Sequence, residues 1–153
     1  MIKKAAFVIA LGVFLTFVHS EQTSKDVPLD NIDSQIKTTM ADCQMNKCSD
    51  RDLAHFIGLN HNSFEGYIYY KSGEALGVDE VLILKSPDKK TLNEARDAID
   101  KRIQTQKSTF EGYGPKQVAE LKNALVIQKG NYLLYSVGEK NNEKIEEVYK
   151  NVI

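Results

Sequence analysis

The chain has 153 residues, with 20 basic and 21 acidic side chains and a formal charge of −1 at pH 7. That length fits one domain with a single hydrophobic core. Its basic residues are interleaved with acids, as in the stretch from Glu94 to Arg102. A protein that binds nucleic acid normally displays a basic stripe, so the sequence predicts no nucleic-acid partner.

A signal peptide is predicted over residues 1–20. Two lysines precede an apolar run from Ala5 to Val18, and Ser20 offers a small residue for signal peptidase. A membrane span needs about 20 apolar residues, so we expect cleavage after Ser20 and an exported protein, extracellular or associated with the cell envelope. An uncleaved anchor is the alternative, and this segment would then be the chain's contact with the membrane. Cleavage leaves 18 basic and 21 acidic side chains, a formal charge of −3.

Residues 21–29 are polar and without periodicity, which predicts a tether. A single domain is predicted to follow over residues 30–153. Asp30 can cap its first helix, whose apolar face repeats every four residues. The members of that face are Ile32, Ile36 and Met40. A second, shorter helix is predicted from Ser49 to Ile57, where Ser49 is a good N-cap and Gly58 can end the helix.

Two strands are predicted next. The apolar period changes to two over Phe64–Tyr70, and Val78–Lys85 is a second extended segment. The middle of that segment, Val81–Leu84, is apolar at every position. This pattern is typical of a strand inside a sheet, with one face against helices and the other at least partly covered by aromatics or a partner.

A long helix is predicted after Pro87, beginning with a capping box of Thr91 and Glu94. Its apolar face consists of Leu92, Ala95, Ile99, Ile103 and Phe110. Pro115 suits the first turn of another helix. A hairpin of two strands and a last helix follow, over Leu125–Gln128, Tyr132–Val137 and Asn141–Val152. The order α-α-β-β-α-α-β-β-α predicts an α+β, two-layer domain with a four-stranded, mainly antiparallel sheet packed against helices.

Cys43 and Cys48 are the chain's two cysteines, and they flank the predicted corner between the first two helices. In an exported protein they can form a disulfide if the chain turns between them. Two free thiols are the alternative. A further interpretation joins both cysteines to His55 and His61 in a metal-binding or thiol-dependent site, although this spacing matches no standard zinc pattern.

A candidate interaction surface combines tyrosines with carboxylates. Glu65, Tyr67 and Tyr69 alternate along the first predicted strand and share one face, while Glu111 and Tyr113 lie in the loop after the long helix. A tyrosine ring offers both apolar area and a hydrogen bond, which suits a binding surface. The alternative is ordinary stabilisation of the sheet by cross-strand aromatics.

Three segments together resemble the bacterial domain-of-unknown-function family 4358. They are residues 64–70 (FEGYIYY), 77–85 (GVDEVLILK) and 106–115 (QKSTFEGYGP). The resemblance covers nearly all of the exported chain, and it implies a small exported protein with one compact α+β domain and no assigned activity. Many family members are lipoproteins, whereas this chain has no cysteine directly after the apolar run to carry a lipid.

The sequence predicts no catalytic residues and no cofactor, because no serine stands in a nucleophile elbow and no glycine run resembles a phosphate loop. The leading interpretation is a non-catalytic binding or interaction module at or outside the bacterial cell surface, whose partner is an unidentified protein or cell-envelope ligand. The alternatives are the metal or thiol function above and a structural component of the spore or envelope.

Overall fold

The computed structural model describes residues 24–139 and 141–153, so the predicted signal peptide lies outside the described residues. The helices are α1 (Leu29–Thr39), α2 (Asp50–Asp52, continued by a π-helical turn over Leu53–Ile57), α3 (Lys89–Phe110), α4 (Pro115–Lys122) and α5 (Asn142–Val152). The strands are β1 (Met45–Lys47), β2 (Gly66–Ser72), β3 (Glu80–Lys85), β4 (Leu125–Lys129) and β5 (Tyr132–Val137). Among the residues described, no helix is both long and apolar enough to cross a membrane.

The strands form one antiparallel sheet in the order β1-β2-β3-β5-β4. The predicted α+β class and antiparallel pairing are confirmed, but the prediction of four strands is wrong because the sheet has five. The additional strand, β1, lies where we predicted a corner between helices. Met45 pairs with Ser72 and Lys47 with Tyr70. Without β1, the N–H and C=O groups on this side of β2 would form an open sheet edge. The three residues of β1 provide hydrogen-bonding partners for them.

Helices cover both faces of the sheet, so the prediction of two layers is corrected to three. The first face packs against α2, α3 and α4, and its buried core includes Leu53, Ile57, Leu82, Leu84, Leu92, Ala95, Ile99, Ile103, Leu121 and Leu133. The second face packs against α1 and α5, and its core includes Ile32, Ile36, Met40, Val81, Ile83, Leu134, Ile145 and Tyr149. Because β3 sends alternate side chains into two cores, it is apolar on both faces.

Local capping explains where two of the helices begin. Ser49 and Asp52 form a capping box at the start of α2, as the sequence predicted for Ser49, and Gly58 ends that segment with a φ of +82°. The predicted capping box of Thr91 and Glu94 is wrong. Asp88 is the N-cap of α3, since its carboxylate accepts hydrogen bonds from the Lys90 N–H at 3.0 Å and the Thr91 hydroxyl at 2.8 Å.

Residues 24–28 of the predicted tether lie against the domain, whereas Leu29 already begins α1, so the predictions that the tether reaches residue 29 and that Asp30 caps this helix are wrong. The Lys25 N–H donates to the Ile153 carbonyl at 2.8 Å. The Tyr132 hydroxyl accepts a hydrogen bond from the Val27 N–H at 2.9 Å and donates to the Val27 carbonyl at 2.8 Å. These contacts place residues 24–28 beside the turn between β4 and β5, an end of the sheet that we call the turn end.

Candidate functional site

The residues of the predicted interaction surface are not brought together on one exposed face. Tyr69 is fully buried, and its hydroxyl donates to Glu80 at 3.0 Å. Tyr67 packs against the core of the first face and donates its hydroxyl to Asp50 at 2.5 Å. Glu65 is half exposed, with its carboxylate 3.5 Å from the Lys85 ammonium.

Glu111 and Tyr113 lie far from these strand residues. Tyr67 pairs with Leu84, near the strand end from which the chain enters α3, whereas Glu111 directly follows the last residue of that helix. A helix of 22 residues is about 33 Å long. Tyr113 is 62% exposed, and its ring centroid lies 5.6 Å from that of Phe110.

Cys43 and Cys48 are both free thiols in the structure. They flank β1 and pack against opposite faces of the sheet, Cys48 on the first face and Cys43 on the second. A disulfide needs Cα atoms about 4.4–6.8 Å apart and side chains that point toward each other, whereas these two side chains pack on opposite faces of the sheet. Burial raises the pKa of the Cys48 thiol to about 11.

The two cysteines and two histidines of the alternative metal site are not assembled either. The His55 ring contacts Phe56 edge-on at 4.8 Å between centroids, and His61 Nε2 lies 3.7 Å from an Asp50 oxygen. Within the described ranges, no group of three or more His, Cys, Asp or Glu side chains is placed to hold a metal ion. The geometry therefore lends no support to that alternative.

A buried ion pair lies beneath α3 on the first face. Glu80 is fully buried and accepts hydrogen bonds from the Tyr69 hydroxyl at 3.0 Å, the Tyr135 hydroxyl at 2.9 Å and Arg102 Nη2 at 2.9 Å. Burial, with the Glu80 charge beside them, raises the pKa of both tyrosines, so the phenols remain protonated donors. The Arg102 guanidinium also stacks 5.4 Å from the Phe56 ring centroid. This closed cluster fixes α3 to the sheet and leaves no carboxylate oxygen accessible to a ligand.

A cleft opens at the end of the sheet opposite the turn end. It consists of two adjoining cavities of about 670 and 240 Å³, which share Lys116, Glu120 and Glu139. We call the two together the acidic cleft. The larger cavity lies between α4, the start of β4 and α5, and the smaller one lies between residues 42–45 and the loop from β2 to β3.

Among the residues that the structure describes, seven carboxylates and one lysine line the acidic cleft. They are Asp42, Glu74, Asp79, Glu120, Glu139, Glu143, Glu146 and Lys116. The Lys116 ammonium lies 3.1 Å from a Glu139 oxygen and 3.7 Å from a Glu120 oxygen. One lining carboxylate, Glu146, pairs at 2.6 Å with Lys150, which is not part of the lining. The excess of negative charge that remains among the described lining residues makes this concave surface attractive to cations.

Two carboxyl groups of the acidic cleft have perturbed titration. Burial raises the pKa of Asp79. Burial also raises the pKa of Glu120, and the nearby charge of Asp79 raises it further. Gly138 packs closely against this site, since a Cβ there would lie 2.8 Å from Asp79 Oδ1. Carboxyl groups that titrate abnormally within a cleft are typical of binding and catalytic sites.

Sequence reasoning missed the acidic cleft. Its carboxylates come from separate elements between Asp42 and Glu146, and no spacing pattern connects them. The sequence did contain one signal for the Glu80 cluster, because Asp79 and Glu80 directly precede the apolar run of β3 and alternation along the strand points them to opposite faces. A carboxylate at such a position needs a partner from the layer that packs on that face.

The fold and the cleft define an α+β domain whose antiparallel sheet lies between two helical layers and bears an acidic cleft at one end. The family described as "Domain of unknown function (DUF4358)" matches residues 37–138, and the chain belongs to that family. The resemblance seen in the sequence is therefore confirmed. No curated protein and no solved structure matches the chain.

The matched segment contains the whole sheet and α2, α3 and α4, whereas α5 and most of α1 lie outside it. The acidic cleft accordingly draws on both parts of the chain. Asp79, Lys116 and Glu120 belong to the matched segment, and Glu139 and Glu143 follow it.

Proposed function

We propose that this protein is an exported, non-catalytic binding module and that the acidic cleft is its ligand site. The observation that carries the proposal is the larger cavity. Its volume of about 670 Å³ falls within the range of about 300–1,000 Å³ that is usual for small-ligand sites. Ala119, Ala124 and Leu125 supply apolar lining beside the carboxylates, so the cavity combines apolar area with polar groups that can orient a ligand.

The charge of the lining favours a ligand that presents an amine or a guanidinium. Lys116 already shows how the cleft holds such a group, since its ammonium lies between Glu120 and Glu139. A ligand cation would pair with the carboxylates that Lys116 does not contact, Asp79 and Glu143 among them. Partial burial of Asp79 strengthens such a pairing, because charges interact more strongly where water is excluded.

The described N-terminal residues lie away from the acidic cleft. Residues 24–28 lie at the turn end, and the cleft lies at the other end of the sheet. The six residues of β5 separate the two ends by about 20 Å. Residues 24–28 therefore leave the acidic cleft open to a ligand.

Isothermal titration calorimetry with spermidine, a small flexible polycation, tests the proposal. Asp79→Asn with Glu120→Gln removes two charges from the cleft with little change in volume. Glu94→Gln with Asp97→Asn removes two charges from the exposed side of α3 and is the matched control. We expect the cleft variant to bind at least tenfold more weakly than wild type and the control to bind equally. Absence of binding by wild type, or equal weakening in both variants, would overturn the proposal.

A further inference from the structure

Two exposed apolar side chains belong to segments that adjoin the acidic cleft. Leu76, in the loop from β2 to β3, is 59% exposed, and Tyr113, between α3 and α4, is 62% exposed. They are the large hydrophobic residues that stand exposed in the described part of the chain. A lone exposed leucine or tyrosine is ordinary on a protein surface, so the position of these two relative to the cleft is what matters.

Gln117 contacts the two segments that carry these residues and directly follows a cleft residue in the chain. Its Nε2 donates to the Leu76 carbonyl at 3.3 Å. Its Oε1 lies over Gly114, where an added Cβ would be 2.9 Å away, and Gly114 directly follows Tyr113. The residue before Gln117 is Lys116, which stands at the centre of the acidic cleft. The backbone at Leu76 and the turn that contains Tyr113 thus both adjoin Gln117, the chain neighbour of a cleft residue, and we call Leu76 and Tyr113 the apolar rim.

Building on the proposed function, we propose that the partner is a protein segment with a lysine or arginine next to an aliphatic or aromatic side chain. The basic group enters the acidic cleft, and the apolar group packs on the apolar rim. Charge complementarity selects this occupant, because Glu74 lies two residues before Leu76 and the nearby cleft carries a negative excess. Anionic lipid surfaces and nucleic acids would be repelled by the same carboxylates. Tyrosine is also enriched at the centre of protein interfaces.

Two fluorescent peptides distinguish the contributions of charge and apolar contact. One alternates lysine with leucine and the other alternates lysine with serine, at equal length and charge, and fluorescence anisotropy gives the affinities. We expect wild type to bind the lysine–leucine peptide about tenfold more tightly than the lysine–serine peptide. The variant Leu76→Ser with Tyr113→Ser should lose that preference and retain its affinity for the lysine–serine peptide. Tyr113→Phe keeps the ring and should keep the preference.

The outcomes separate failure of this inference from failure of the proposed function. Equal binding of both peptides by wild type, or an unchanged preference in the Leu76→Ser, Tyr113→Ser variant, would overturn the apolar rim as a docking surface. If the Asp79→Asn, Glu120→Gln variant binds the lysine–serine peptide as tightly as wild type does, the acidic cleft itself is refuted as the ligand site.

Discussion

Replacing Arg102 by methionine removes the cation that faces Glu80 beneath α3. The Glu80 side chain is 0% exposed and that of Arg102 is 15% exposed, and the guanidinium donates two hydrogen bonds to the carboxylate, at 2.9 and 3.3 Å. The other two donors, Tyr69 and Tyr135, are neutral, so they leave the charge uncompensated. Breaking a buried pair in this way costs about 3–5 kcal/mol, a large part of the roughly 5–15 kcal/mol that stabilises a typical domain.

A second substitution separates the buried charge from the loss of packing. Glu80→Gln in the Arg102→Met background removes both charges, and its amide can accept a hydrogen bond from one tyrosine hydroxyl and donate to the other, so most of the lost stability should return. The remaining cost, about 1–3 kcal/mol, reflects the second amide N–H, which finds no acceptor. Lys101→Met, at an exposed neighbouring position on α3, is the matched control and should change the free energy of unfolding by less than about 0.5 kcal/mol.

Urea denaturation followed by far-UV circular dichroism measures these differences. With a slope of about 1–3 kcal/mol per molar urea, Arg102→Met should lower the unfolding midpoint by about 1 M or more. A loss below about 1 kcal/mol would refute the reasoning, because it would show that water or another group compensates Glu80 once Arg102 is gone. A double variant no more stable than Arg102→Met would refute it as well.

Three further predictions concern titration, the N-terminal contacts and the thiols. Burial raises the folded-state pKa of Asp79 above its unfolded value, so its ionisation lowers stability as pH rises through the folded pKa. Asp79→Asn should therefore raise the melting temperature at pH 7 more than at pH 3, and an equal change at both would contradict this. Tyr132→Phe removes the hydroxyl that pairs with Val27, so hydrogen exchange at the Val27 amide should accelerate about tenfold. Unchanged exchange would show that this hydroxyl does not hold residues 24–28 against the domain. With a pKa of about 11, Cys48 should react with iodoacetamide at pH 8 roughly a hundredfold more slowly than an unperturbed thiol. Mass spectrometry measures the two rates, and equal rates would contradict the burial of this thiol.

Strong periodicity made several elements predictable from sequence. The apolar faces of α1 and α3 repeat at helical spacing and are buried as predicted, and the unbroken apolar run of β3 indicated a strand inside the sheet. β1 was not predictable in this way, because its three residues have no alternating pattern and become a strand through pairing with β2. The third layer was missed for a related reason, since amphipathic helices do not encode which face of a sheet they cover.

Side-chain positions were harder to predict than elements. Tyr69 was correctly assigned to a strand, but the face it occupies lies under α3 and is closed to partners. Glu80 contacts Arg102, which lies 22 residues later in the chain, because α3 packs on the face of β3 that Glu80 occupies. The acidic cleft requires the ends of β2, β5 and α4 to meet, which depends on the strand order and on the antiparallel return of the chain.

An NMR titration of the ¹⁵N-labelled protein with spermidine tests the central claim most directly, because it locates binding without presupposing the site. The account predicts saturable amide shifts concentrated at Asp79, Glu120, Gly138 and their neighbours, with no comparable shifts at the turn end. Three results would contradict the assignment of the acidic cleft as the ligand site. They are shifts that centre on another surface, shifts that scatter over all exposed acids without saturating, and the absence of any shift.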